Sequence, residues 1–348
     1  MLRAGLSARF GGNKMSPSMQ SHSWRHRILI GLAAFVCLVA VVAATYESIS
    51  ERRDRRSHPM PGKLVDVGGY RMHINCTGSG FPTVIFDSGL GDGYVPWNKA
   101  QSQVAQFTQA CSYDRAGFGY SDSSPRPRTS RDMAKELHTL LHNAGVSPPY
   151  VLVGHSLAGY NVRVFTSLYP NEVAGLVLVD ASHPEQQKRF PPALNDMDAN
   201  WIQEEEFLEF TTPFGLPRLL GFCARDGEAR ATDCNFHHLR ETVAELKSIS
   251  VSAAQAAATG SLGDLPLIVL SEDPDTPQPD LPEDLAKPAS AAWSQMQEEL
   301  AHLSTSGTQV IAKNSGHYIQ LDRPDVVVDA VRTVVDQARQ RPRPAATP

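Results

Sequence analysis

Apolar and polar positions along the chain fall into three regimes. The first is a single unbroken run, ILIGLAAFVCLVAVVAATY, in which residues 28–46 carry no charge. At 1.5 Å per residue such a run is about long enough to cross a hydrocarbon layer of roughly 30 Å. The second regime is a series of short segments, each apolar over its whole length, alternating with longer helical patterns. Strands are predicted at Lys63–Val67, Tyr70–Cys76, Thr83–Asp87, Ala110–Asp114, Tyr150–Val153 and Val173–Asp180, with Gly68-Gly69 turning the first pair. Helices are predicted over Ser130–Ala144 and over Leu157–Tyr169, the latter stopped by Pro170. The third regime, residues 181–262, has no clean strand and holds Trp201, Glu204-Glu205-Glu206, Phe207, Phe210 and Phe214. The alternation then resumes with a strand at Leu265–Ser271, a helix near Ala291–Leu303, a strand at Gln309–Lys313 and a helix over Asp325–Gln340.

Strands that are apolar throughout, separated by helices, indicate a mostly parallel sheet covered on both faces. Residues 181–262 are then an insertion after the sixth strand, positioned to form a helical lid. The chain is expected to divide into an N-terminal segment 1–27, a membrane span 28–46, a charged and Pro-containing linker 47–62, a sheet domain 63–340 that contains the lid insertion 181–262, and a Pro-rich tail 341–348, expected to be disordered.

Arg25-His26-Arg27 precedes the apolar run, and 27 residues before it are more than a cleavable signal usually carries. An uncleaved anchor is therefore expected, with the N-terminus inside and the body outside the cytoplasm. Cleavage near Val42-Ala43-Ala44, giving a secreted protein, is the alternative. Beyond residue 50 the chain carries 27 basic against 36 acidic residues, a balance that argues against a nucleic-acid partner. Of five cysteines, Cys37 lies in the run, and the four in the body are the even number that disulfides require in an exported protein. Their spacing fits no zinc motif. No metal or organic cofactor is implied.

The candidate chemistry centres on Gly154-His155-Ser156-Leu157-Ala158-Gly159. A strand enters and a helix leaves this segment, and small residues flank the serine, as a sharp turn presenting a nucleophile requires. Ala158 stands where the G-x-S-x-G pattern has glycine. A serine needs a base, an acid to orient that base, and donors for the developing oxyanion. His317, in Asn314-Ser315-Gly316-His317 after the last strand, is the expected base. The loop Ser271-Glu272-Asp273-Pro274-Asp275 offers Asp273 and Asp275 as equal candidates for the acid, and Asp180, ending the preceding strand, is a third. The backbone N–H groups of Leu157 and of Leu90, in Ser88-Gly89-Leu90, are the expected oxyanion donors.

These segments, with YDRAGFGYSD (residues 113–122) and VLVDASHPEQ (residues 177–186), resemble the α/β-hydrolases, most closely the membrane-anchored or exported bacterial branch. The resemblance spans roughly residues 60–340. It implies the α/β-hydrolase fold and a structural role for YDRAGFGYSD. It also implies a sheet order that sets the second strand beside the fourth, making a Cys76–Cys111 disulfide plausible, with Cys223–Cys234 stapling the lid. Members of this fold that are dehalogenases or epoxide hydrolases use an aspartate nucleophile, so Ser156 implies esterase, lipase, thioesterase or peptidase chemistry. A carboxylic ester is the expected substrate. An aminopeptidase, a cofactor-free perhydrolase and a non-catalytic membrane-anchored binding domain are the alternatives.

Overall fold

A computed structural model describes residues 17–223, 227–233, 235–277 and 281–341. Most of the predicted N-terminal segment, Cys234 and the tail beyond Arg341 lie outside the described residues. Eight strands form one sheet: β1 (Lys63–Asp66), β2 (Arg71–Thr77), β3 (Thr83–Asp87), β4 (Ala110–Tyr113), β5 (Tyr150–His155), β6 (Val173–Val179), β7 (Leu267–Ser271) and β8 (Gly307–Ile311). Their order across the sheet is β1-β2-β4-β3-β5-β6-β7-β8. The pairs β1–β2 and β2–β4 are antiparallel and every other pair is parallel.

The burial pattern explains why wholly apolar segments became strands. Each of β3, β5 and β7 is buried at every position. Alternate residues serve opposite faces, as the two-residue period of a strand dictates. Ile85, Leu152, Leu178 and Val269 join one core with Leu137, Leu140, Val162 and Phe165. Phe86, Val151, Val153 and Leu270 join the other with Trp97, Val104, Val331 and Val334. The strand β8 lies at the sheet edge and leaves Val310 and Ile311 exposed. It begins and ends two residues earlier than its apolar pattern predicts, because an edge strand has a solvated flank that blurs the pattern.

The helices are α1 (Pro17–Ser57), α2 (Asn98–Val104), α3 (Ser130–Ala144), α4 (Ala158–Leu168), α5 (Gln186–Arg189), α6 (Pro192–Thr211), α7 (Leu216–Leu220), α8 (Gly227–Asp233), α9 (Phe236–Ala257), α10 (Glu283–Ala301), α11 (Ile319–Asp322) and α12 (Pro324–Gln340). In α3 the cap signals are explicit: the Thr129 side chain accepts from the Asp132 N–H, and Gly145 ends the helix at φ 73°. The insertion between β6 and β7 contributes α5 to α9, so its absence of strand pattern reflects helices.

The segment 47–62, expected as a linker, is helical as far as Ser57. The helix α1 continues without a break from the apolar run to Ser57. Arg218 of α7 explains this, since it binds Glu47 at 2.9 and 3.0 Å and Asp54 at 2.6 Å, two carboxylates seven residues apart on one helix face. Within α1, Trp24–Ser57 is long and apolar enough to cross a membrane, with a mean hydropathy of 2.8 over its most apolar 18 residues.

Register places Cys76 of β2 opposite Cys111 of β4, and the two form a disulfide with an S–S distance of 2.06 Å. A pairing of Cys223 with Cys234 falls partly outside the described residues. Cys37, exposed on α1, is a free cysteine.

Candidate active site

Strand β5 runs into α4 through Ser156, whose φ of 51° is rare for a residue with a side chain. Its N–H donates to the Val179 carbonyl at 3.1 Å, and its carbonyl accepts from Gly159 and from Ser182, each at 2.9 Å. The turn is pinned to the end of β6, which maintains a conformation costing on the order of 1–3 kcal/mol. The small neighbours are a steric requirement. A Cβ at Gly154 would lie 2.8 Å from the Ala158 carbonyl oxygen, and one at Gly159 would lie 2.5 Å from the Ala181 methyl. Ala158 is fully buried, and its methyl is accommodated. The departure from G-x-S-x-G therefore falls at a position with room for one carbon.

His317 follows β8 in a loop whose entry is fixed by Asn314 at φ 62°. Its Nδ1 lies 2.6 Å from Oδ2 of Asp180. A carboxylate only accepts, so the imidazole proton sits on Nδ1 and leaves Nε2 available as a base. Asp180 ends β6 at φ 41° and is completely buried. Its other oxygen accepts from the Glu272 N–H and from Trp293 Nε1, both at 2.9 Å. Burial works against a charged His317, but the hydrogen bond and negative charge of Asp180 outweigh it and raise the imidazole above its ordinary pKa.

The two preferred candidates for the acid do not reach this histidine. Asp273 accepts from Lys313 Nζ at 2.9 Å and from the Asn314 N–H at 3.0 Å. It thereby shapes the loop that carries His317 without touching the ring. Asp275 is 85% exposed and has Lys313 at 3.4 Å. The physical reason is lateral: β7 separates β6 from β8, and Asp180 reaches across the end of β7 while that strand's own loop turns toward Lys313.

Ser156 and His317 line a cavity of about 290 Å³ together with Gly89, Leu90 and Leu157. Trp201 and Ile202 of α6 and Leu246 and Ile249 of α9 form its outer wall. A second chamber of about 290 Å³ meets the first at Ser156 and His317 and is walled by Phe190, Leu194, Leu281 and Trp293. Ser156 and His317 thus sit where two mainly apolar compartments join.

Beneath the Ser88-Gly89-Leu90 loop lies Arg115, which the sequence assigns only to a turn. Its guanidinium donates to the Ser88 and Gly89 carbonyls at 2.6 and 2.7 Å and pairs with Asp87 at 3.0 Å and Glu245 at 2.7 Å. Holding the Gly89 carbonyl downward fixes the orientation of the peptide whose N–H, that of Leu90, is one of the two candidate oxyanion donors. Glu245 belongs to α9, so one buried cation joins this loop to the insertion. His155 packs under the same loop. Its Nε2 donates to the His317 carbonyl at 3.0 Å, and a Cβ at Gly89 would come within 2.8 Å of its Nδ1. Burial, reinforced by the nearby His317, drives His155 well below the ordinary pKa and keeps it neutral.

His183, Glu185 and Glu299 bring possible metal-ligand atoms within 4.8 Å of one another at the surface. Arg189 already engages Glu299 at 2.7 Å, so a resident cation serves that carboxylate.

The sequence model of the alpha/beta hydrolase family matches residues 84–330. The uncharacterized protein YqjL of Bacillus subtilis (strain 168) is 29% identical over 284 residues, which is 81% of this chain and 95% of that one. Among solved structures, a proposed ancestral haloalkane dehalogenase aligns with a TM-score of 0.62 at 18% identity, covering 80% of this chain and 100% of that chain. A thermophilic esterase from Thermogutta terrifontis aligns with a TM-score of 0.54 at 19% identity, covering 79% and 98%. At such identities these two structures share the fold with this chain.

Proposed function

Because the chain belongs to the alpha/beta hydrolase family, we propose that it is a serine hydrolase acting by acyl transfer, with Ser156 as nucleophile, His317 as base and Asp180 as the acid that orients it. The observation that carries this reading is the constellation itself. A serine on a strained strand-to-helix turn shares a cavity with a histidine whose far nitrogen is held at 2.6 Å by a buried carboxylate. In the dehalogenase and epoxide hydrolase branches an aspartate takes the nucleophile position, and here that position is serine.

In this mechanism His317 Nε2 takes the Ser156 proton as Oγ attacks the acyl carbon. The oxyanion is received by the Leu90 and Leu157 amides, and the protonated imidazole gives its proton to the leaving oxygen. Water, deprotonated by the same nitrogen, then attacks the acyl carbon, and the imidazolium returns that proton to Ser156 Oγ as the acid is released. Asp180 stays ionised throughout and balances the imidazolium. Two apolar chambers meeting at the serine suit a carboxylic ester, one taking the acyl chain and the other the alcohol.

The apolar helix α1 suggests a membrane anchor or signal. We place the body on the extracytoplasmic side, a reading supported by the Cys76–Cys111 disulfide.

Covalent labelling with a fluorophosphonate tests the assignment. The wild-type protein is expected to label and Ser156→Ala is not. Equal labelling of the two, or no labelling of folded wild-type protein, would sink the enzyme reading. An ester panel of increasing acyl length then defines the substrate.

A further inference from the structure

The segment that joins α6 to the remainder of the insertion is unusual for a protein surface. Phe210, Phe214, Leu219, Leu220 and Phe222 are 73, 44, 81, 57 and 57% exposed. Monomeric soluble proteins rarely leave so many large apolar side chains uncovered together. Between Phe210 and Phe222 the chain contains one charged residue, Arg218. That side chain is only 5% exposed, because Glu47 and Asp54 of α1 enclose it. The outer surface of this segment is therefore uncharged as well as apolar.

Its position relative to α1 is fixed at atomic detail. The apolar run ends at Tyr46, and Glu47 is the first charged residue after it. The Arg218 bonds set α7 between the levels of Glu47 and Asp54, and a Cβ built on Gly215 would lie 3.6 Å from the Glu47 Cβ. The turn Thr212–Phe214 also packs on α1. The partly covered face of α1 extends into the run itself, through Ala44, Ala43 and Ala40, at the three- and four-residue spacing of one helix face. Ala40 lies about 10 Å along the axis from Glu47. An element that reaches along that face shares the depth of the residues it covers.

We propose that Phe210–Phe222 lies in the headgroup and upper acyl region of the same bilayer that α1 crosses, forming a second, monotopic contact beside the anchor. This rests on reading α1 as a membrane anchor. The occupant of the apolar face is lipid, because the face is continuous with the membrane span, uncharged and level with its end. One consequence concerns substrate supply. Helix α6 leads from Phe210 to Trp201 and Ile202 in the cavity wall, about 13 Å along its axis. A long-chain ester dissolved in the leaflet would thus enter the cavity without crossing bulk water.

The test uses full-length protein in phosphatidylcholine/phosphatidylglycerol vesicles, spin-labelled in turn at native Cys37 and, in a Cys37→Ser background, at Leu219→Cys or Val310→Cys. Collision rates with oxygen and with a water-soluble nickel chelate report depth. Labels at 37 and 219 are expected to favour oxygen by at least about fivefold relative to the label at 310, which lies on the exposed sheet edge. A wet label at 219 with a shielded one at 37 overturns the proposal and leaves the anchor standing. A wet label at 37 overturns the anchor and this contact together. Label-to-label broadening at 219 under high lipid dilution assigns the face to a second copy and also overturns it. The triple variant Phe210→Ser, Leu219→Ser, Phe222→Ser is expected to lose about tenfold in kcat/KM on a long-chain ester held in the vesicles, with a soluble short-chain ester unchanged. Equal losses on both esters, or no loss on either, refute the supply route.

Discussion

Replacing Asp180 by Asn separates the orienting acid from its two rivals with one atom changed. Asp180 Oδ1 accepts from the Glu272 N–H and Trp293 Nε1, and an asparagine oxygen would keep both bonds. Its amide nitrogen would then face His317 Nδ1, where Asp180 Oδ2 now stands at 2.6 Å. An amide N–H donates, so Nδ1 must become the acceptor and the imidazole proton moves to Nε2. The nitrogen needed to deprotonate Ser156 is then already occupied. The same substitution in a Ser-His-Asp protease lowers kcat about 10⁴-fold, which at about 1.36 kcal/mol per decade is roughly 5.5 kcal/mol of transition-state stabilisation. The expected result for Asp180→Asn is a loss of that order in kcat on a short p-nitrophenyl ester, with KM within a few-fold. Asp275→Asn should stay within about twofold, because the residue is exposed. Asp273→Asn should lose less than about tenfold, because it weakens the loop at Asn314 and leaves the histidine tautomer alone. The reasoning fails if Asp180→Asn retains a tenth or more of wild-type kcat, or if Asp273→Asn falls as far.

Further outcomes are expected at His317, at Arg115 and in the turn around Ser156. Since His317 must be neutral to act as base and its pKa is raised, kcat/KM should fall with unit slope as pH drops through a value above 6.5. That limb should move to lower pH in Asp180→Asn, and an unmoved limb refutes the pairing. The same shift makes a stabilising contribution that is complete below the unfolded-state pKa and lost as pH rises through the folded one, visible as slightly greater resistance to urea on the acid side. Arg115→Met leaves Asp87 and Glu245 buried without their partner and should cost about 3–5 kcal/mol in urea unfolding; a cost under about 1 kcal/mol would show that the clamp contributes little. Gly159→Val places side-chain carbons against Ala181 and should destabilise by about 1–3 kcal/mol or more, whereas Ala158→Gly should retain most activity.

The sequence by itself determined every element whose signal is local. Wholly apolar runs marked the buried strands, and β3 and α3 begin and end where their patterns say. The elbow around Ser156 was legible because a strand, a small-residue turn and a helix meet within ten positions. His317 was legible as the histidine directly after the last strand. The tertiary structure decided which strand ends meet. Asp180, Asp273 and Asp275 all follow the C-terminal ends of adjacent strands, and nothing local says that the carboxylate after β6 passes the end of β7 to meet the loop after β8. Asp180 does so from a positive φ, a conformation that its neighbours in sequence do not announce. Likewise Glu47 and Asp54 read as a solvated linker because their partner, Arg218, lies more than 160 residues away. Arg115 read as part of a turn because Glu245 lies 130 residues further on. Periodicity reports which face of an element is apolar, whereas a buried ion pair depends on where two distant faces are brought together.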